Sequence, residues 1–377
     1  MRTAVIALVA ALSAAPAYAQ FGNVLNKVQK AKEKVDELNI DDREERQLGE
    51  TVSSNLRDKY GVVQSEELTK YVTLVGTALA QTSTRPNLNW TFIVLDTDGV
   101  NAFAAPGGIV HVTRGLLGLV RNEAELAGVL GHEITHVTVK HTVRAIQKSK
   151  TIQMASDEAG GGSARDRLVA RMAQAAYEKI LNNEFSREDE TEADTVGVRL
   201  ASRLGYAPNG LGDVLRKLDS RNSGRDERNG LFASHPATKE RIDRLDKQVT
   251  DEKLAGSATV EARYAKYVHF EAKPLGEITV GADGAAGLAG GSGAKDSKET
   301  QDGKNAKDST EPKKKGSLLS KFSTSSSSEK QSTQTIASAG ARGIGPDRDA
   351  KGGPNKNVVA VTVTAAEIAA FKKGITA

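Results

Sequence analysis

The segment Gly131-His132-Glu133-Ile134-Thr135-His136 constrains this chain more than any other. It sits in an apolar-periodic stretch from about Asn122 to Lys148 whose only glycines are Gly128 and Gly131, a pattern that predicts one long helix. Four residues advance a helix by about 400° and about 6 Å, so His132 and His136 share a face one turn apart. Two imidazoles at that spacing can bind one Zn²⁺ per chain at about 2.0–2.1 Å. Glu133 lies beside such an ion, positioned as a base to take a proton from attacking water. Zinc lowers the pKa of bound water towards about 7 and polarises a peptide carbonyl, which together permit amide hydrolysis. With six His in the chain, a chance match has odds of roughly one in a hundred. The motif therefore needs a third ligand to support it.

His141 is the nearest candidate, but a continuous helix places it about 140° off the ligand face. The metzincin spacing asks for glycine where this chain has Val139 and for histidine where it has Thr142. A second helix is expected from about Arg187 to Arg203, with Ser186 as N-cap, Asp189 three residues on and Gly205 as its stop. It carries Glu190 and Asp194 at i,i+4. Glu190 can complete a His₂Glu site, and Asp194 can accept the other ring N–H of a ligating histidine. The competing reading is a solvated acidic face paired with Arg187 and Arg199.

Four segments occur in order: Asn101-Ala102-Phe103-Ala104-Ala105-Pro106-Gly107-Gly108, Asn122 to Glu133, Ser186 to Asp194, and Ser234-His235-Pro236 followed by Glu240-Arg241-Ile242. Together they resemble metallopeptidase family 48, which includes the prenyl-protein (CAAX) endoproteases and soluble exported bacterial members. The resemblance covers roughly residues 40–250. It implies an α+β, mainly helical gluzincin domain with a small β-sheet. Zinc would be held by His132, His136 and Glu190, with Glu133 as base and Asp194 behind the metal ligands. By the same resemblance His235 is a catalytic candidate, as an oxyanion donor or an occupant of the open metal position. The chain lacks the extra membrane spans of the prenyl proteases, which argues against that substrate class.

The rest of the chain frames this domain. Met1-Arg2, the apolar run Ala4 to Ala15 and Ala17-Tyr18-Ala19 fit a signal peptide (1–19) cut near Ala19, hence an exported protein, periplasmic or secreted. Residues 20–39 read as an amphipathic lead-in helix, and 40–270 as the metallopeptidase domain, beginning with a helical stretch from Asp41 to Gln81 that breaks near Gly61. Asn89 to Asp96 and Ile109 to Thr113 read as strands, with 101–113 as either an edge strand on the cleft or an ordinary hairpin. His111 is expected to be partly exposed and His269 inert. A Gly/Ser/Lys-rich stretch (271–356), expected to be disordered, leads to a strand-then-helix element (357–377).

Zero cysteines exclude thiolate catalysis, Cys-based zinc sites and a disulfide framework. A formal charge of +4 is too weak to argue for nucleic acid, and no span-length apolar run follows the N-terminus. Taken together these features read as a zinc metalloendopeptidase whose partners are polypeptide substrates, acting on envelope proteins in quality control or processing. Two other classes compete. One is a non-catalytic envelope chaperone or assembly factor that keeps zinc for structure, against which the intact Glu133 argues. The other is a scaffold that reaches anionic envelope surfaces through its Lys-rich tail.

Overall fold

The computed structural model describes residues 40–148, 164–182, 185–222, 238–274 and 353–376. The signal peptide, the lead-in helix, His235 and most of the 271–356 stretch therefore lie outside the described residues.

The chain enters through Asp42–Tyr60 (α1), opened by a capping box between Asp41 and Glu44, and Glu66–Ala80 (α2), capped by Ser65. Three short strands follow, Thr91–Leu95 (β1), Ala102–Ala105 (β2) and Ile109–Thr113 (β3). β3 lies in the middle, parallel to β1 and antiparallel to β2. The 101–113 region is thus a hairpin whose first strand is the sheet edge, and Gly107 and Gly108 make its turn with φ of 72° and 93°. Arg114–Leu119 (α3), Glu123–Thr138 (α4) and His141–Lys148 (α5) come next. Ala164–Asn182 (α6), Arg187–Arg203 (α7), Gly210–Asn222 (α8), Thr238–Asp251 (α9), Glu261–Tyr267 (α10) and Ala365–Lys373 (α11) complete the order. The class is α+β, mainly helical with one small sheet.

The sheet separates two cores, and strand alternation assigns its side chains between them. Phe92, Val94, Val110 and Val112 face the larger core with α2, α4, α7 and α8. Ile93, Leu95, Phe103 and Ile109 face the smaller one, built from α1, α5 and α6. This corrects the expectation for His111. It does point away from Val110 and Val112, but α1 covers that face, so His111 is fully buried with its Nε2 2.9 Å from Ser53 Oγ. Burial holds its pKa down at about 3, keeping the ring neutral.

α4 is the central helix, buried from Glu123 to Val137. Its first residue, Glu123, anchors it. The carboxylate accepts from Tyr71 Oη at 2.9 Å, Tyr206 Oη at 2.6 Å and Arg263 Nε at 2.7 Å, so a charge with no exposure is fully partnered. The far end does not continue to Lys148 as the periodicity predicts. The helix stops at Thr138, and Lys140 takes φ 61° before α5 begins. Lys140 Nζ reaches Glu45 at 2.8 Å, and Glu45 also accepts from Arg85 and from Gly107 N, which ties the break to α1 and to the hairpin turn.

The C-terminal residues dock on the domain. Val62 N donates to Asn355 O at 2.6 Å, Lys70 pairs with Glu367 at 2.7 Å, and Ile368, Phe371 and Ile375 are buried. Residues 357–363 join no sheet, contrary to the strand reading, although the helix after them is opened at Ala365 by a capping box between Thr364 and Glu367. Among the described residues no helix is long and apolar enough to cross a membrane.

Candidate metal centre

Two helices build the site, and a pair of glycines lets them approach. A Cβ on Gly131 of α4 would lie 2.6 Å from the Gly197 carbonyl oxygen of α7, and one on Gly197 would lie 2.6 Å from the His132 nitrogen. No side chain fits there, so the backbones touch. Gly197 follows Asp194 by three residues and Glu190 by seven, which puts all three on one face of α7. The start of α7 is set locally: Ser186 Oγ accepts from Asp189 N at 3.1 Å and Asp189 returns the bond. Glu190 therefore stands in the first turn, aimed at α4.

His132, His136 and Glu190 converge, all buried, with donor atoms within 4.8 Å of one another. His132 Nε2 lies 3.0 Å from His136 Nε2, and the Glu190 carboxylate is 3.6 Å from the first and 3.4 Å from the second. Ligand bonds of about 2.0–2.1 Å at the tetrahedral angle separate donors by about 3.3 Å, a spacing these contacts bracket. The outer ring nitrogens are engaged elsewhere. His132 Nδ1 is 3.0 Å from Asp194 Oδ1, and His136 Nδ1 is 3.0 Å from His141 Nδ1. Both rings thus turn Nε2 inward, as a metal site needs.

Electrostatics agree with a cation at this point. Glu133, Glu190 and Asp194 are three buried carboxyls, and Arg241 of α9 is the guanidinium among them. Arg241 Nε and Nη2 reach the two Asp194 oxygens at 2.9 and 2.6 Å, and Nη1 lies 3.3 Å from Glu190. Burial raises the Asp194 carboxyl, but Arg241 and the His132 hydrogen bond outweigh it and hold it at about 2. Arg241 keeps its charge: burial opposes it, Asp194 and Glu190 more than restore it. Glu133 is pushed up to about 7, by burial first, with His136 and Arg241 lowering it and Glu190 raising it. A divalent ion would offset the excess of buried negative charge.

Of the residues singled out from sequence, the structure brings His132, Glu133, His136, Glu190 and Asp194 together. His235 lies outside the described residues. Sequence reasoning assigned no role to Arg241 or His141. Arg241 had a signal, since it follows Ser234-His235-Pro236 closely in the fourth matching segment. His141 had one too, but the assumption of an unbroken helix turned it away from the site.

The comparisons with known proteins point the same way. The model of Peptidase family M48 matches residues 66–249. The chain is similar to the "Beta-barrel assembly-enhancing protease" of Escherichia coli (strain K12), 28% identical over 215 residues, which is 53% of this chain and 42% of that protein. It is 34% identical over 164 residues to "Metalloprotease YcaL" of the same organism, 42% of this chain and 63% of the other. To "Mitochondrial metalloendopeptidase OMA1" of Schizosaccharomyces pombe it is 26% identical over 205 residues, 54% of this chain and 60% of the other. The matched part spans less than half the length of the assembly-enhancing proteases. The part of the chain that builds the site is thus similar to peptidase family M48.

Proposed function

We propose that this chain is a peptidase of family M48, an exported zinc-dependent metalloendopeptidase that hydrolyses envelope proteins, in quality control or processing. One observation carries the reading: His132, His136 and Glu190 present donors at metal spacing, in a buried site that also holds Glu133. The donor set of two imidazoles and a carboxylate suits zinc with one position left open. Zinc, once bound, supplies Lewis acidity towards a peptide carbonyl and towards water.

The chain's own residues supply the rest. Glu133, buried beside the three ligands, can accept a proton from the attacking water and pass it to the leaving amine. Asp194 holds His132 in one tautomer and orientation through the 3.0 Å contact to Nδ1. Arg241 holds Asp194 and Glu190 at fixed distances, so a ligand and the partner of another ligand share one anchor. His235 enters the proposal on the family resemblance, as an oxyanion donor or an occupant of the open metal position.

The envelope assignment draws support from the apolar, Ala-terminated start of the chain and from the assembly-enhancing proteases among its relatives. The direct test is digestion of an unfolded protein such as casein, with and without a chelator. Chelator-sensitive cleavage is expected. A zinc-loaded protein that binds casein and leaves it intact would support the chaperone class instead.

A further inference from the structure

Each metal-facing histidine on α4 has its outer nitrogen held by a neighbour, and the two neighbours differ in kind. For His132 it is a carboxylate. For His136 it is a second imidazole, His141, whose Nε2 in turn lies 3.2 Å from Glu192 Oε2. We propose that His141 is a positioning residue of the metal centre, fixing the tautomer and plane of His136 through an imidazole–imidazole hydrogen bond anchored at Glu192. The inference rests on the reading that His132, His136 and Glu190 hold the ion.

Proton bookkeeping allows one arrangement. A neutral imidazole has one N–H and one lone pair. If His136 offers its Nε2 lone pair to a metal, its proton is on Nδ1. That N–H donates to His141 Nδ1, which leaves the His141 proton on Nε2, and Nε2–H donates to the Glu192 carboxylate. Every atom along His136–His141–Glu192 then has a matching partner. Asp189, 3.7 Å from the same His141 nitrogen, adds negative charge at the outer end.

The backbone is built to allow this contact. On a continuous helix His141 would point about 140° away from His136. Instead α4 ends at Thr138, and Lys140 turns the chain at φ 61°, a conformation costly for a side-chain-bearing residue. The Lys140 bond to Glu45 secures the turn. His141 is fully buried, so an unmatched Nδ1 would be costly. Phe185 packs against both rings, at 4.4 Å from His136 and 6.5 Å from His141, and limits their rotation.

The experiment compares zinc affinity of the full chain and its variants by competition with a chromophoric chelator. His141→Phe keeps ring volume and removes the acceptor, while His141→Asn keeps an oxygen near the Nδ1 position. The expectation is a roughly 10–100-fold loss for His141→Phe, most of it restored in His141→Asn, and a smaller loss for Glu192→Ala. Melting of the metal-free variants shows whether each is folded, and if His141→Phe is not, His141→Asn set against His141→Gln carries the comparison. Wild-type affinity in folded His141→Phe overturns the proposal, as does equal loss in the Phe and Asn variants. Glu190→Ala is the control: if it binds zinc like wild type, the metal-site reading itself fails and takes this inference with it.

Discussion

Arg241 donates to both carboxylate oxygens of Asp194, at 2.9 and 2.6 Å, with neither side chain exposed by more than a few per cent. The pair joins α9 to α7 behind His132. Arg241→Ala removes the buried guanidinium shared by Asp194 and Glu190 and leaves only the more exposed Arg244, 3.8 Å from Asp194, as a counter-charge. Breaking a buried pair of this class costs about 3–5 kcal/mol. Urea unfolding of the metal-free protein measures it. A loss under about 1 kcal/mol would mean that the site relaxes or hydrates and that the pair does not hold α9 in place.

Gly197→Ala tests the helix crossing. The added Cβ meets backbone 2.6 Å away, so α7 must move outward and carry Glu190 and Asp194 with it. Overpacking of this kind costs about 1–3 kcal/mol, more than the gain of about 1 kcal/mol from replacing a helical glycine. Lower thermal stability and weaker zinc binding are expected together. A variant more stable than wild type with unchanged zinc affinity would show that the helices do not touch here.

Glu133→Gln keeps size and a hydrogen-bonding end but removes the base. Zinc content should stay at the wild-type level while peptide hydrolysis falls by about 10²–10⁴-fold or more. Appreciable turnover by a zinc-loaded Gln variant would sink the assignment of Glu133.

Glu190→Ala should lower zinc affinity strongly and abolish activity. Glu188, two residues away, lies about 200° round the helix and is exposed, so Glu188→Ala should bind zinc like wild type. Asp194→Ala should fall between, with a roughly 10–100-fold loss in affinity. Equilibrium dialysis of the three variants ranks them, and a different order would overturn the ligand set.

Removing residues 353–377 takes Phe371 and Ile375 out of the larger core, together with the buried Ile368. Buried side chains of this size are worth about 1.5–3 kcal/mol each, an upper figure for a docked segment, so the truncated protein should melt well below the full chain. Unchanged melting would mean that the segment only rests on the surface. Lys70 and the Thr364 cap hold the Glu367 carboxyl at about 2, below its ordinary 4.5. A depressed carboxyl favours docking above about 4.5 and loses that contribution as pH falls towards 2. Amide protection in 365–373, taken relative to intrinsic exchange, should fall across that window more than it does in Glu367→Gln.

Local chemistry was legible in the sequence. The HExxH spacing, the Ser186–Asp189 cap, the span of α7 and the i,i+4 pair Glu190 and Asp194 all follow from helix periodicity and capping, which act over a few residues. What the sequence could not settle depends on which surfaces meet. His111 alternates away from Val110 as expected, yet whether that face meets water or α1 is decided by packing between residues some sixty positions apart. The break at Lys140 is stabilised by Glu45, nearly a hundred residues earlier, so periodicity alone extended the helix to Lys148 and pointed His141 the wrong way. By periodicity alone Arg241 reads as a surface arginine, and its burial appears only when α9 is laid against α7. Helix periodicity specifies a face; only the close approach of Gly131 and Gly197 decided that the Glu190 face would meet the histidines, because that contact depends on the whole tertiary arrangement closing around it.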